Sequence, residues 1–399
     1  MLSDAINQKM TREVKPLCDF SDPRSDICEM EGDIRIHGNS SSILFMNPSN
    51  GTTSQRVESW LIKPHARKGD STALRLVGEM TVKSLSNYDE ASPCAVNHTV
   101  LAIVFSTGGY MGNIFHDFTD VLIPLFITSR HYQGEVQFFI SETHSWWLSK
   151  YRPYLKELSH YEVIDFNKEK RVHCYPHAII GLRSHKEMSI DTLRAPNGYS
   201  MVDFARLMRK AYSLERDSAI KLGTSQTKKP RLLIIARKWT RSFKNVAEIV
   251  LMAEGLGYET VVAEADVSSN LAQFSRIVNS CDVLMGVHGA GLTNLVFLPT
   301  NATVIQVVPL GGLEKIAWAD FGGPALDMKL RYLQYRITEE ESTLIEMYPR
   351  DHPVFKDPSS IQRQGWLALR GIYLDKQSVR LDVEKFKGYL ERALQFLHQ

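Results

Sequence analysis

No stretch of the 399-residue sequence reaches the ~18 to 20 consecutive apolar residues that a membrane-spanning helix needs, and the opening MLSDAINQKM lacks a signal-peptide pattern. Cysteine is scarce. Cys18, Cys28, Cys94, Cys174 and Cys281 are too few for a disulfide-built scaffold and lack the paired Cys-x-x-Cys spacing of structural zinc, although Cys18 and Cys28 are placed to close one local loop. Neither sign of charge is in excess: 47 Lys and Arg against 45 Asp and Glu leave a net charge of +2. Nucleic acid therefore finds no broad basic field, and any anion site must be local. No Gly-x-Gly-x-x-Gly opens a βα unit, which excludes a nicotinamide dehydrogenase. No Asp-x-Asp occurs either, so a bound diphosphate would be held by protein cations rather than through Mg²⁺. Internal repeats and low-complexity tracts are also missing.

What is present is an ordinary globular composition, 43% hydrophobic and 23% charged, with enough length for two or three domains. Residues 1–95 are rich in Ser, Asn, Asp and Gly, with short alternating runs (GDIRIHG, SSILFM, RVESWLIKP). They predict small β elements wrapped around something larger. Asn-x-Ser/Thr sequons at Asn39, Asn50, Asn97 and Asn301 favour a lumenal or secreted compartment. A first α/β unit follows over 96–225. Its strand HTVLAIVFS (98–106), glycine-rich turn and long helical segment (114–132) lead on to further strands, and Pro124 predicts a kink or early break in that helix. After a charged, polar connection the βα alternation restarts over 226–381. Four strands end in RLLIIAR, YETVVAE, DVLMGV and ATVIQVVP, and a helix begins at Asn245 with Glu248 as its capping-box partner. The final segment, 382–399, is an amphipathic helix expected to pack back across a domain. The alternation predicts two Rossmann-like domains, with all strand C-termini of the second sheet on one edge.

That edge carries the candidate chemistry. The apolar run CDVLMGVHGAGLTNLVFLP (281–299) breaks at His288, Gly289, Ala290 and Gly291 before Leu292, Thr293 and Asn294 begin the next helix. Small residues there admit a phosphate to the backbone, but the same pattern suits a tight turn with His288 as a cap. Past the strand RLLIIAR come Arg237, Lys238, Arg241 and Lys244, cations suited to a diphosphate. In the first unit the glycine-rich loop is followed by His116, Asp117 and Asp120. His116 and Asp120 share a helical face, as a base oriented by a carboxylate or as a cap and core pair. His173, Cys174 and His177 lack a fourth zinc ligand and read as packing, and Trp146, Trp147, Trp239 and Trp318 read as core before they read as sugar platforms.

Four motifs in order, KPLCDFSDPRSDICEMEGDIRIHG, GGYMGNIFHDFTDVLIPLF, GVHGAGLTNLVFLP and EMYPRDHPVFKDP, resemble the plant branch of glycosyltransferase family 61 over nearly the whole chain. The resemblance implies a GT-B fold, with two Rossmann-like domains facing each other across a cleft and an N-terminal β-rich extension. It implies a type II Golgi membrane enzyme whose anchor lies outside this sequence. The implied reaction is inverting, moving L-arabinofuranose or D-xylose from a UDP-sugar to the xylan backbone without a required metal. An N-glycan or O-glycan xylosyl- or N-acetylglucosaminyltransferase, or a non-catalytic glycan-binding subunit, remains an alternative. A homodimer or a Golgi synthase complex is the expected protein partnership. On this basis Arg237, Lys238, Arg241, Glu314 and the loop His288 to Asn294 form the donor site, and His116, Asp117 and Asp120 the catalytic set.

Overall fold

A computed structural model describes residues 17–46, 58–223, 228–264 and 270–399, a mixed α/β architecture with two sheets. In chain order the strands are β1 (Cys18–Asp19), β2 (Ile27–His37), β3 (Ser42–Met46), β4 (Ser59–Ile62), β5 (Met80–Leu85), β6 (Val96–Asn97), β7 (Leu101–Ser106), β8 (Val136–Ser141), β9 (Ile164–Asp165) and β10 (Val172–Ile180) in the first sheet. The second sheet holds β11 (Arg231–Ala236), β12 (Glu259–Glu264), β13 (Val283–Val287), β14 (Thr303–Val308) and β15 (Arg331–Arg336).

The first sheet runs β4-β5-β3-β2-β10-β7-β8-β9, with β1 and β6 added beside β2 and β10. Its parallel strands β7 and β8 are buried along their whole length, which is why each reads as an unbroken apolar run. The early β elements do not wrap this unit. They extend its sheet, because β2 pairs antiparallel with β10, which in turn pairs parallel with β7. The ladder shifts register between Tyr175 and His177, opposite Gly32, and so accommodates Pro176, which has no N–H for a central strand. Two disulfides fasten this region. Cys18–Cys28 joins β1 to β2, and Cys94–Cys174 ties the segment before β6 to β10.

Pro124 does not break its helix. Ile114–His116 is α-helical, Asp117–Leu122 widens into a π turn, and the α-helix resumes over Ile123–Ser129, so the wide turn absorbs the missing N–H. The second sheet is wholly parallel, in the order β12-β11-β13-β14-β15. It has one strand more than the four expected: the sequence of β15, RYLQYR, is polar and half-exposed at an edge. The chain steps from β11 to β12 on one side and then from β13 through β14 to β15 on the other, so a crevice opens past the C-terminal ends of β11 and β13.

Asn245 starts the Val246–Gly255 helix without a side-chain cap bond. Its amide instead donates to Glu248 and to the Leu381 carbonyl and accepts from Leu381 N–H, clasping the chain's C-terminal segment. The last helix, Val383–Leu397, buries Phe386, Leu390 and Ala393 against the second sheet. The stretch after β13 is a 3₁₀ helix, Ala290–Phe297, and its Phe297 meets Phe118 of the first half edge-on at 6.1 Å. Both halves therefore contribute to one apolar core. Among the described residues no helix is long and apolar enough to cross a membrane.

Cys94 and Cys174 are 80 residues apart in sequence. Replacing both with serine is expected to cost about 2–5 kcal/mol, seen as a lower denaturant midpoint; an unchanged midpoint would show that the bridge constrains nothing.

Candidate functional site

Beyond β11 the chain folds back through Arg237, whose Nε donates to the Thr240 carbonyl at 2.8 Å and whose guanidinium also reaches Thr240 Oγ1. Arg241 has a left-handed φ of 52°, is held by its own N–H on the Gln377 carbonyl, and donates from Nη1 to the His288 carbonyl at 3.0 Å. The turn after β13 explains its glycine. Gly289 has φ 147°, and a Cβ there would lie 2.6 Å from Arg241 Nη1 and 2.9 Å from Arg237 Nη1. Both guanidinium groups thus converge on one bare stretch of backbone.

Among the described residues neither of these arginines makes an ion pair, and Arg241 Nε is buried without a hydrogen-bond partner. Burial and the neighbouring Arg237 push Arg241 down to about 10, and burial lowers Arg237 too, so both remain cationic. Two such cations side by side have the charge and donor geometry that suit an anion with several oxygens. They line a cleft of about 790 Å³ with Lys238, Trp239, Thr240, Glu264, Ala290 and Gly291, faced by Gly112, Asn113 and Ile114 of the first half.

His288 is buried. Tyr332 donates to Gln306 Oε1, which turns the Gln306 amide N–H₂ toward His288 Nδ1 at 2.8 Å. Nδ1 is therefore the acceptor, and the ring carries its proton on Nε2. Burial first, then Arg241 and Arg237, hold its pKa down to about 3, so the ring is neutral at physiological pH. Its Nε2 faces Asp320 Oδ2 at 4.0 Å.

Across the cleft Asn113 caps its helix by accepting from Phe115 N–H. His116 Nδ1 lies 2.9 Å from Asp120 Oδ2, and Asp120 Oδ1 is 3.3 Å from Arg67 Nη1. The Tyr110 ring packs on His116 at 4.4 Å. Arg67 also reaches Glu187, which takes further bonds from Arg24 and Thr119. The two walls touch where Phe115 meets Phe321, 5.6 Å between rings, and Phe321 in turn packs on His288.

With the site in view, comparison with known proteins places the chain. A family model described as Glycosyltransferase 61 matches residues 114–305, from the His116 helix into β14. A beta-1,2-xylosyltransferase of Oryza sativa subsp. japonica is 50% identical over 393 residues, covering 95% of this chain and 84% of that protein. The chain belongs to glycosyltransferase family 61. Two alpha-1,3-arabinosyltransferases of the same organism are 53% and 52% identical over 384 and 385 residues, each match covering 96% of this chain. The chain spans 66% and 65% of their length.

Several expected residues of this family 61 chain sit elsewhere than their motifs suggested. Asp117 is buried and engaged by the protein, accepting from Trp147 Nε1, Tyr151 OH and Gly112 N–H, so it anchors the glycine-rich loop. Leu292 is in the core, and its N–H is taken by the Gly289 carbonyl. Thr293 Oγ1 and Asn294 Oδ1 are buried without partners. Lys238 lines the cleft paired to Glu264 at 2.6 Å, and Lys244 lies exposed outside it. Glu314 pairs with Arg336 in a separate pocket of about 390 Å³ past β14 and β15.

Of the tryptophans only Trp147 is fully buried; Trp146, Trp239 and Trp318 are exposed, Trp239 by 87%. His173 bonds His98, His177 lies beside Glu29 and Cys174 is in a disulfide, so those three form no metal site. Asn39, Asn97 and Asn301 are exposed, and Asn50 falls outside the described residues. Sequence reasoning missed Asp320, Glu187 and Arg67, whose relation exists only in three dimensions.

Gly289→Ala should displace both guanidinium groups. The expected result is at least a tenfold loss of UDP affinity by calorimetry with an unchanged circular-dichroism spectrum; full affinity would separate the glycine from the anion site.

Proposed function

We propose that this chain is an inverting glycosyltransferase that moves L-arabinofuranose or D-xylose from a UDP-sugar to the xylan backbone in the Golgi lumen. The observation that carries the reading is the Arg237–Arg241 pair, two cations that make no ion pair among the described residues, at the switch point of a parallel sheet. Relatives named for arabinosyl and xylosyl transfer, matched along 96% and 95% of the chain, support the pentose. Two sheets with a cleft between them support a GT-B arrangement, in which the second half holds the donor and the first half the acceptor. Two disulfides and three exposed sequons support the lumenal compartment. A membrane anchor outside this sequence would complete a type II protein.

In this reading the acceptor hydroxyl oxygen attacks the anomeric carbon as the bond to the β-phosphate breaks, and UDP leaves with the electron pair. The guanidinium groups stabilise the charge that develops on the diphosphate, so no divalent metal is needed. With its Nδ1–H donated to Asp120, His116 keeps Nε2 free to take the hydroxyl proton. One displacement inverts the anomeric centre and requires no covalent nucleophile.

Incubation with UDP-arabinofuranose, UDP-xylose and xylo-oligosaccharides is expected to give an inverted pentosyl product, undiminished by EDTA. Oligosaccharide binding without transfer from any donor would identify a silent subunit instead. His116→Ala should lower kcat at least a hundredfold while UDP affinity stays within about twofold, and retained activity would remove His116 as the base.

A further inference from the structure

Three carboxylates meet beside the cleft, and among the described residues one of them receives no hydrogen bond. Asp120 is taken by His116 and Arg67, and Glu187 by Arg24, Arg67 and Thr119. Asp320, on the π turn Trp318–Gly322, receives no hydrogen bond among the described residues, and its closest charged neighbour is His288 Nε2 at 4.0 Å. Its side chain is 21% exposed. A largely buried carboxylate that keeps an opening to solvent and takes no donor from the described residues is open to hydroxyl donors from a ligand.

Its place in the site says what supplies them. Arg241 touches the His288 carbonyl, His288 Nε2 faces Asp320, Asp320 lies within the field of Arg67 and Glu187, and Arg67 reaches Asp120 and so His116. The row runs from the diphosphate cradle to the acceptor base, with Asp320 between them. The transferred sugar of a nucleotide-sugar occupies that interval.

We propose that Asp320 binds the hydroxyls of the sugar being transferred, forming the donor-sugar subsite of the cleft. This rests on the reading of the cleft as a UDP-sugar site. A hydroxyl oxygen about 2.8 Å from both groups fits the gap, donating to Asp320 Oδ2 and accepting from His288 Nε2–H. The second carboxylate oxygen is left for a neighbouring hydroxyl. Neutral His288 then works as a fixed donor whose tautomer is set by Gln306.

The groups facing Asp320 are His288, Glu187 and Arg67. Burial first, then Glu187, raise its carboxyl to about 7 against the opposing pull of Arg67. The carboxylate form prevails above that value, so its grip on the sugar is strongest there and fades as pH falls through it.

The test compares wild type with Asp320→Asn, which keeps the shape, using UDP, UDP-xylose, UDP-arabinofuranose and UDP-N-acetylglucosamine in calorimetry and UDP-pentoses in kinetics. Expected are a UDP Kd within about twofold and a KM for the UDP-pentose raised about tenfold or more, with the rise of KM at low pH abolished in the variant. A parallel loss of UDP affinity would make Asp320 part of the diphosphate cradle and overturn the proposal. A hundredfold fall in kcat at unchanged KM would make it a base, with the same consequence. Should the affinity loss appear with UDP-N-acetylglucosamine and not with the pentoses, the subsite stands and the pentosyl reading falls. The thermal midpoint of the variant, expected to be no lower than that of wild type, guards against misfolding.

Discussion

Two guanidinium groups held against each other, with no ion pair to either among the described residues, are the constraint around which the second half is arranged. Burying Arg237 and Arg241 together is unfavourable, since each raises the cost of the other's charge, and Asp375, the acid that most offsets this for Arg241, is itself bound to Arg370 at 3.1 Å. The fold maintains the pair with backbone. The Thr240 carbonyl orients one arginine, the His288 carbonyl the other, and the Gln377 carbonyl fixes the left-handed turn at Arg241. Gly289 is required because any side chain would stand where the guanidinium groups meet. In the proposed reading that unfavourable charge is what a diphosphate would relieve.

The first half supplies the opposite arrangement, acids that are mostly satisfied. Asp117 secures the glycine-rich loop through Trp147 and Tyr151, Asp120 orients His116, and Glu187 ties Arg24 and Arg67 together. Asp320 receives no hydrogen bond among the described residues, and it comes from the second half, carried to the boundary by Phe321 packed on Phe115. Asp117, Asp120 and Asp320 all sit on π turns, where the wider helix changes the direction in which a side chain points. The shared core around Phe118 and Phe297 holds the two walls at their spacing.

The convergence of Arg237, Arg241 and the Gly289 turn was largely legible in the sequence because its signals are local. A buried strand, two glycines and a cluster of cations past the next-but-one strand end follow directly from chain order and the parallel-sheet rule. The His116–Asp120 pair was legible for the same reason, a spacing of four on one helix. The role of Asp117 was not, because its fate depends on Trp147, Tyr151 and Lys150, 30 to 34 residues away in the chain for the two it bonds most closely. The strands β2 to β4 were visible as alternation, but their joining of the first sheet depends on β10, more than a hundred residues later. Asp320 was hidden most completely: it lies in WADFG, which carries no motif, and its neighbours arrive from residues 67, 187 and 288. The fifth strand β15 escaped because edge strands need not be apolar.

The most direct test of the central claim is thermal unfolding of wild type and Arg241→Met with and without UDP. If the paired guanidinium groups form the anion cradle, saturating UDP raises the midpoint of wild type and leaves that of the variant unmoved. Equal stabilisation of both by UDP would contradict the account.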